Sequence, residues 1–201
     1  ETRNAVYDGP LNKLCLQLSA NESFRRMWGI PLDPTPEEAV DEDAEEAVDD
    51  DDAEDAVEHE VVEAVNKSTT TGKRMFEKME DVELVLRFFA YRQIDSFKAG
   101  LNKISEFLDG FIVEGNRFPD HVLREYRLMF ESTLAFLWSA LDVDSFRVVG
   151  HSKRPTKIVY DPVMFVANSI DADARAQLIM KKDLLRSELV TMYTTNKALF
   201  A

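Results

Sequence analysis

The stretch that decides the fold is PDHVLREYRLMFESTLAFLWSAL, which covers residues 119–141. Pro119 suits the start of a helix, because a proline in the first turn gives up no internal hydrogen bond. One face of the stretch follows the helical period for about five turns. Its members are Val122, Tyr126, Met129, Phe130, Thr133, Leu134, Leu137, Trp138 and Leu141. This stripe predicts a long helix that buries one side in a bundle.

Two further helices are predicted ahead of this stretch. The first starts near Glu80, where Glu80 and Glu83 are charges that a helix N-terminus favours. Its stripe is wide enough to be buried on more than one side: Val82, Leu84, Val85, Leu86, Phe88, Phe89 and Gln93. Asp95 or Ser96 can cap the second helix, whose apolar positions are Leu101, Ile104, Phe107, Leu108 and Phe111. The connections are short, so neighbouring helices should pack antiparallel.

The N-terminal part of the chain predicts three short helices. The first two cover residues 1–7 and 10–18, and Gly9 lies at the break between them. Asn21 can cap the third helix through its side-chain oxygen. Gly29 then ends that helix, since glycine readily adopts the left-handed conformation common after a helix C-terminus.

The pattern after the long helix is weaker. Residues 146–157 form a basic, non-periodic stretch with no supported strand. Asp161 followed by Pro162 is a typical cap and first turn, so a helix is expected from there to about residue 169. A last helix is expected over residues 173–193 or beyond. The sequence therefore predicts an all-α fold, a bundle of about six to eight helices.

One segment carries most of the net charge of −14. Residues 33–65 hold 17 of the 38 acidic residues and no Lys or Arg, which leaves 21 acidic against 24 basic residues elsewhere. The segment repeats short Glu/Asp-Ala-Val units, for example at residues 37–40 and 45–48. Such units offer too little apolar surface to offset the entropy of ordering the chain. A long disordered or weakly helical acidic insertion is therefore predicted.

The insertion divides the chain into three parts. These are N-terminal helices over residues 1–32, the acidic insertion over residues 33–72 and a helical bundle over residues 73–201, with residues 68–72 as a polar hinge. The insertion is either a passive solvated loop or a functional acidic arm. As an arm it would mimic DNA, recruit a basic partner or cover a basic face of the protein.

The sequence also restricts the class of protein. It contains no apolar run near the 18 or more residues of a membrane span and no basic-then-apolar secretory leader. The single cysteine, Cys15, excludes an internal disulfide framework. Leucines flank it on a helical pattern, so a buried, unreactive thiol is expected. These features predict a cytoplasmic protein without membrane contact.

Catalytic and metal-binding patterns are scarce. The three histidines, His59, His121 and His151, are scattered, and none has a partner at metal-ligand spacing on an ordered element. The sequence has no Gly-rich phosphate loop, no nucleophile elbow and no zincin helix. No catalytic residue and no metal site are therefore predicted for this chain.

One basic loop is a candidate phosphate or DNA contact. Lys153, Arg154 and Lys157, together with His151, lead towards the helix expected at Asp161. Cations beside a helix N-terminus suit phosphate, because backbone N–H groups and charged side chains converge there. The alternative is an ordinary solvated loop.

Residues 1–12, ETRNAVYDGPLN, carry a family resemblance. They are similar to the Q-E-[aliphatic]-R-N-x-x-Y-x-G-x-[aliphatic]-N stretch of the GmrSD-type restriction-endonuclease N-terminal domain family. Arg3, Asn4, Tyr7 and Gly9 match that motif, whereas Thr2 stands where an aliphatic residue is usual. Residues 24–29 and 74–92 also look similar to the family, and the stretches after residue 146 fit more loosely.

The resemblance implies a place in a larger defence protein. Family members have a ParB-like domain whose D-G-Q-Q-R motif binds or hydrolyses nucleotide, then a helical region, and many continue into an HNH-type nuclease. This sequence contains neither D-G-Q-Q-R nor the HNH residues. Nucleotide and divalent metal would then bind elsewhere in the longer protein. Arg3 and Asn4 would either orient the pocket of the ParB-like domain or pack their own helix, with Gly9 at its C-terminus.

The leading expectation is thus a helical scaffold fragment of a nucleotide-dependent, DNA-directed restriction or anti-phage defence protein. Its partners would be the upstream ParB-like domain and DNA, and exposure of the apolar side of residues 5–18 would favour a homo-oligomer. The alternative is a non-enzymatic protein-interaction module that uses the acidic arm. A third hypothesis is a metabolic enzyme whose site has no sequence signature.

Overall fold

Helices form the whole of the regular structure in the part of the chain that is described. The computed structural model describes residues 8–32, 69–93, 103–150, 152 and 154–196, and over these residues it contains no strand. The helices are α1 Pro10–Ser19, α2 Glu22–Trp28, α3 Thr70–Glu77, α4 Glu80–Tyr91, α5 Ile104–Gly115, α6 Asp120–Leu141, a 3-10 helix Asp142–Phe146, α7 Lys157–Ser169, α8 Ala172–Met180 and α9 Lys182–Thr195. The predicted all-α fold is confirmed.

The long helix α6 is the element around which the others pack. It contacts α1, α2, α7, α8, α9 and the 3-10 helix. Phe130 is fully buried at its centre, and the ring of Phe24 lies 5.7 Å away between centroids. The rings of Phe146 and Tyr160 meet edge to face at 4.8 Å. Aromatic pairs in this arrangement add a specific attraction to the burial of their large apolar surfaces.

The apolar face of α1 is buried rather than exposed. Leu11, Leu14, Cys15 and Leu18 are each at most 5% accessible. Helix α1 packs against α4 and α6, which cover this face. The expectation that this face would be exposed is therefore wrong for residues 10–18, whereas the homo-oligomer stays a prediction. Buried Cys15 is confirmed, and burial raises the pKa of its thiol well above the ordinary range.

Helix α3 begins where the sequence suggested a hinge. Thr69 caps it, since its hydroxyl accepts a hydrogen bond from the backbone N–H of Gly72 at 3.0 Å. Met75 anchors the helix in the core at 4% accessibility. Residues 69–72 are therefore a helix start rather than a polar hinge, because the threonine hydroxyl satisfies an N–H group that would otherwise lack a partner. Residues 33–68, which include most of the acidic insertion, lie outside the described residues.

A close contact joins the two described ends that flank residues 33–68. The backbone N–H of Thr69 donates to the carbonyl oxygen of Gly29 at 2.9 Å. Gly29 adopts a left-handed conformation with φ of 64°, which ends α2. Gly72 lies directly over this turn, and a Cβ added to it would overlap the carbonyl group of Gly29. The described segments on either side of residues 33–68 therefore meet at one place, which we call the neck (Gly29, Thr69 and Gly72).

Two boundaries in the C-terminal half differ from the prediction. Helix α7 starts at Lys157, capped by the hydroxyl of Thr156, so Pro162 lies inside the helix and Asp161 is not its cap. The earlier start buries Val159 and Tyr160, each at most 1% accessible. This gain outweighs the hydrogen bond that the proline cannot donate. The single helix expected over residues 173–193 is two helices, α8 and α9, that meet at residue 181.

None of the helices in the described ranges is long and apolar enough to cross a lipid bilayer.

The neck generates a stability prediction. We expect Gly72→Ala to lower the free energy of unfolding by about 1–3 kcal/mol, because the new methyl group must displace the backbone of Gly29. Thr71→Ala, half-exposed in the same helix, is the matched control and should change stability by less than about 0.5 kcal/mol. Urea unfolding followed by circular dichroism measures both. Equal effects of the two substitutions would show that the contact at Gly72 is not tight.

Candidate functional site

The described part of residues 1–12, the stretch similar to the GmrSD-type family, is residues 8–12, in which Gly9 directly precedes α1. Arg3, Asn4 and Tyr7 lie outside the described residues. Gly9 directly precedes α1 in extended conformation, with φ of 174°. The side chain of Asn116 lies against it, where a Cβ on residue 9 would overlap the carboxamide. The close approach of the Asn116 side chain therefore requires a glycine at position 9. Residues 1–7, for which a helix is predicted, lie outside the described residues.

Asn116 also caps α1 from a distance of more than 100 residues along the chain. Its Oδ1 accepts hydrogen bonds from the backbone N–H groups of Leu11 at 3.1 Å and Asn12 at 3.4 Å. These are first-turn N–H groups that have no partner within their own helix. Beside this contact, Gly115 lets the side chain of Leu11 pack against the end of α5. The end of the motif is thereby fixed to the bundle through the C-terminus of α5.

The predicted basic loop leads into the N-terminus of α7, which lies at Lys157 rather than at the expected Asp161. His151 and Lys153 are not among the described residues. Arg154 is exposed, and its backbone N–H donates to the hydroxyl of Ser152 at 3.1 Å. Lys157 is the first residue of α7, and its Nζ donates to Glu80 at 3.0 Å. Of the three predicted contact residues, Arg154 therefore projects into solvent and Lys157 forms an ion pair with α4.

Lys157 belongs to a charged seam between α4 and α7. Along this seam Arg87 pairs with Asp161, and its Nε donates to Asp161 Oδ1 at 3.2 Å. Burial alone would lower the pKa of Arg87, but the hydrogen bond and charge of Asp161 outweigh it, so this pKa is raised. Beneath the seam, the hydroxyl of Tyr160 donates to the carbonyl oxygen of Leu84 at 2.9 Å. These pairs fix the register of α7 on α4.

Arg25 and Asp81 are buried charged residues that the sequence analysis did not single out. Arg25 is 8% accessible and donates to the backbone oxygens of Ser19, Pro31 and Leu32 at 3.0–3.2 Å. Asp81 is 2% accessible, and its Oδ1 has no hydrogen-bond partner among the described residues. Burial raises the pKa of Asp81, although a backbone N–H and the charge of Arg25 oppose this effect. Arg25 therefore fastens Pro31 and Leu32, which follow the turn at Gly29.

A small basic groove lies between α1 and α6, and the sequence analysis did not predict it. Its volume is about 250 Å³, and its polar lining includes Lys13, Gln17, Asp120, Arg124 and Arg127. Arg127 donates a hydrogen bond to Gln17, which links the two helices. Pro10 also lines the groove, so it borders the residue that follows Gly9. Basic residues three positions apart on α6 are the only sequence signal for it, and that spacing is common on solvated helices.

Candidate metal ligands do not come together within the described ranges. Over those residues no group of three His, Cys, Asp or Glu side chains could hold a metal ion. His121 is exposed near the start of α6, and Cys15 is enclosed in the core. The described side chains therefore bring together basic and apolar surfaces rather than a metal-ligand set.

Comparison of the chain with protein-family models, with curated proteins and with solved structures finds no match.

The buried carboxylate of Asp81 generates a pH prediction. Because its pKa is raised above the ordinary 3.8, its ionisation costs stability, and this cost appears as the pH rises through the raised pKa. We expect Asp81→Asn to raise the free energy of unfolding at pH 7 by about 1 kcal/mol. The difference from the unchanged protein should vanish as the pH falls to 3.8. Urea unfolding between about pH 3 and pH 8 measures it.

Asp183→Asn, exposed in the first turn of α9, is the control for this experiment. It removes the same charge without relieving burial, so its effect should not follow the pH dependence expected for Asp81. A destabilised Asp81→Asn protein at pH 7 would instead show that the attraction of Asp81 for Arg25 exceeds its desolvation cost.

Proposed function

We propose that the chain is a non-catalytic helical scaffold of a nucleotide-dependent, DNA-directed restriction or anti-phage defence protein. The observation that carries the proposal is the anchoring of the end of the motif to the bundle. Asn116 caps α1 directly behind Gly9, and Leu11 and Asn12 are buried in the bundle. A displacement of the residues before Gly9 would therefore be transmitted to α1 and α5.

In this proposal the scaffold performs no chemistry and acts through the positions of its packed helices. The ParB-like domain of the parent protein would bind nucleotide and contact Arg3 and Asn4, which precede α1 in the sequence. Any divalent metal would belong to the nuclease part of the parent. The bundle would carry the nucleotide-dependent state of that domain to the rest of the protein through rigid, closely packed helices, and the whole protein would work in the cytoplasm.

The proposed DNA contact is the basic loop. Arg154 is exposed, and Lys157 is 40% accessible despite its pair with Glu80, so both can approach a phosphate. Lys153 directly precedes Arg154 in sequence. The nearby N-terminus of α7 adds backbone N–H groups, which favour an anion at the same place.

The test is binding of a fluorescently labelled duplex DNA, followed by anisotropy at several salt concentrations. We expect the combined variant Lys153→Ala/Arg154→Ala to bind more weakly at low salt. The slope of log affinity against log salt should fall by about 0.9 for each phosphate that the variant no longer neutralises. Lys181→Ala/Lys182→Ala is the matched control, because it removes two exposed lysines at the junction of α8 and α9.

Two results would contradict the proposal. An unchanged salt slope in the basic-loop variant would show that the loop does not contact DNA. Cleavage of DNA or turnover of nucleotide by the purified chain would contradict a non-catalytic scaffold, provided that a catalytic contaminant is excluded by a second purification.

A second candidate function is a protein-interaction module that uses the acidic segment as an arm. The neck favours it, because residues 33–68 begin and end at one point of the body. Three exposed basic residues stand on or beside α3, where the chain returns: Lys73, Arg74 and Lys78. They bring positive charge close to the attachment of a strongly acidic segment.

Deletion of residues 33–66 distinguishes an active arm from a passive one. The neck should hold the shortened chain together, so its circular dichroism spectrum should keep the helical signal. If the arm covers a basic face or mimics DNA, the deletion should raise DNA affinity at low salt. An unchanged affinity and salt slope would identify a passive insertion and leave the scaffold proposal as it stands.

A further inference from the structure

Helix α3 carries three exposed cations whose charges no described carboxylate pairs with. Lys73, Arg74 and Lys78 are exposed, and none of them forms an ion pair with another residue of the described ranges. The opposite side of the helix is fixed in the body, because Met75 is 4% accessible and Gly72 lies against the neck. The three cations therefore stand on a helix of fixed position, and their charges face solvent.

The end of α3 meets the basic loop through one ion pair. Lys78 comes two residues before Glu80, the first residue of α4, so their Cα atoms are at most about 7.6 Å apart. The Nζ of Lys157 lies 3.0 Å from the carboxylate of Glu80. Lys157 is the first residue of α7 and follows the loop that contains Arg154. The cations of α3 and those of the loop therefore lie at one corner of the body, where α3, α4 and α7 meet.

Positive charge exceeds negative charge at this corner. Its described cations are Lys73, Arg74, Lys78, Arg154 and Lys157. Glu80 pairs with Lys157, and the carboxylates of Glu83 and Asp161 both pair with Arg87. Arg74 and Lys78 are four residues apart, so their like charges are neighbours on the surface of α3 and repel each other. An anion bound between them would remove this repulsion.

The extent of this corner fits a polyanion better than a single small anion. Helix α3 rises about 7.5 Å from Lys73 to Lys78, at about 1.5 Å per residue. The corner continues beyond it to Lys157 and Arg154. A DNA duplex carries one phosphate per about 3.4 Å of its axis on each strand, so the corner spans several phosphates. Backbone N–H groups at the start of α7 lie at the far end and favour the same kind of anion.

We propose that α3 forms part of a DNA-binding surface, in which Lys73, Arg74 and Lys78 bind phosphates of the same duplex that the basic loop contacts. This inference rests on the DNA contact proposed above and extends it from one loop to a surface built from α3 and the start of α7. The continuity of the two groups of cations assigns the same ligand to both. Contacts of this kind position a duplex without reading its base sequence.

The experiment measures binding of the whole chain to a fluorescently labelled duplex by anisotropy at several salt concentrations. The variant is Arg74→Gln/Lys78→Gln, which removes two charges and keeps side chains that favour a helix. We expect the slope of log affinity against log salt to fall by about 1.8, or about 0.9 for each of two phosphates. Lys181→Gln/Lys182→Gln, exposed at the junction of α8 and α9, is the matched control and should keep the slope of the unchanged chain. Circular dichroism checks that each variant is folded.

The basic-loop variant Lys153→Ala/Arg154→Ala separates this inference from the function on which it rests. A lower slope in both the loop variant and the α3 variant supports one continuous surface. A lower slope in the loop variant alone overturns the role of α3 and leaves the loop contact in place. A lower slope in the α3 variant alone overturns the continuous surface, because the loop then makes no contact. Absence of salt-dependent binding to the unchanged chain overturns both proposals.

Lysine acetylation of the unchanged chain, followed by mass spectrometry, tests the contact without any substitution. We expect the duplex to slow acetylation of Lys73, Lys78 and Lys157 but not that of Lys181. This result would show direct contact rather than a long-range effect of charge. If Lys73 and Lys78 already react slowly without DNA and the duplex changes nothing, an acidic polypeptide such as the acidic segment covers α3, and the inference is overturned.

Discussion

The ring of Phe130 holds together parts of the chain that are far apart in sequence. Its centroid lies 5.7 Å from that of Phe24, 5.5 Å from Phe88 and 6.1 Å from Phe89, and the side chain is fully buried. Phe24 comes before the acidic segment, whereas the other two rings come after it. The packing of these rings therefore makes the N-terminal helices and the later bundle one hydrophobic core. Interiors of this kind are closely packed, so a shift of any one helix is felt by the others.

The sequence was most informative about helices whose apolar residues repeat with the helical period. It was least informative about helix boundaries that depend on a single side chain. The stripes of α4 and α6 were predictable, because burial of one helix face imposes a regular spacing of apolar residues. The starts of α3 and α7 depend on the hydroxyl groups of Thr69 and Thr156. Threonine occurs in loops as well as at helix starts, so neither start was predicted. Asp161 gave a clear capping signal, yet it pairs with Arg87 of another helix.

Grooves lined by residues of several helices could not be predicted from one sequence. Lys13 and Arg127 line one groove only because α1 and α6 lie side by side. The apolar groove lined by residues of α6, α7, α8 and α9 likewise depends on the positions of four helices, and its lining residues have the same pattern as ordinary core residues. The resemblance in residues 1–12 is a different kind of signal. It suggests a biological context through residues that mostly lie outside the described part.

The neck also determines how this fold tolerates added chain. The hydrogen bond from Thr69 to Gly29 gives the body a fixed connection that does not involve the residues between them. The entropy cost of closing a flexible loop grows only with the logarithm of its length, so lengthening the segment has a small effect on stability. Foreign sequence, including a domain whose own ends lie close together, can therefore be grafted here with little disturbance of the core. The same geometry explains how a bundle with such close packing can carry so long an acidic segment between two of its helices.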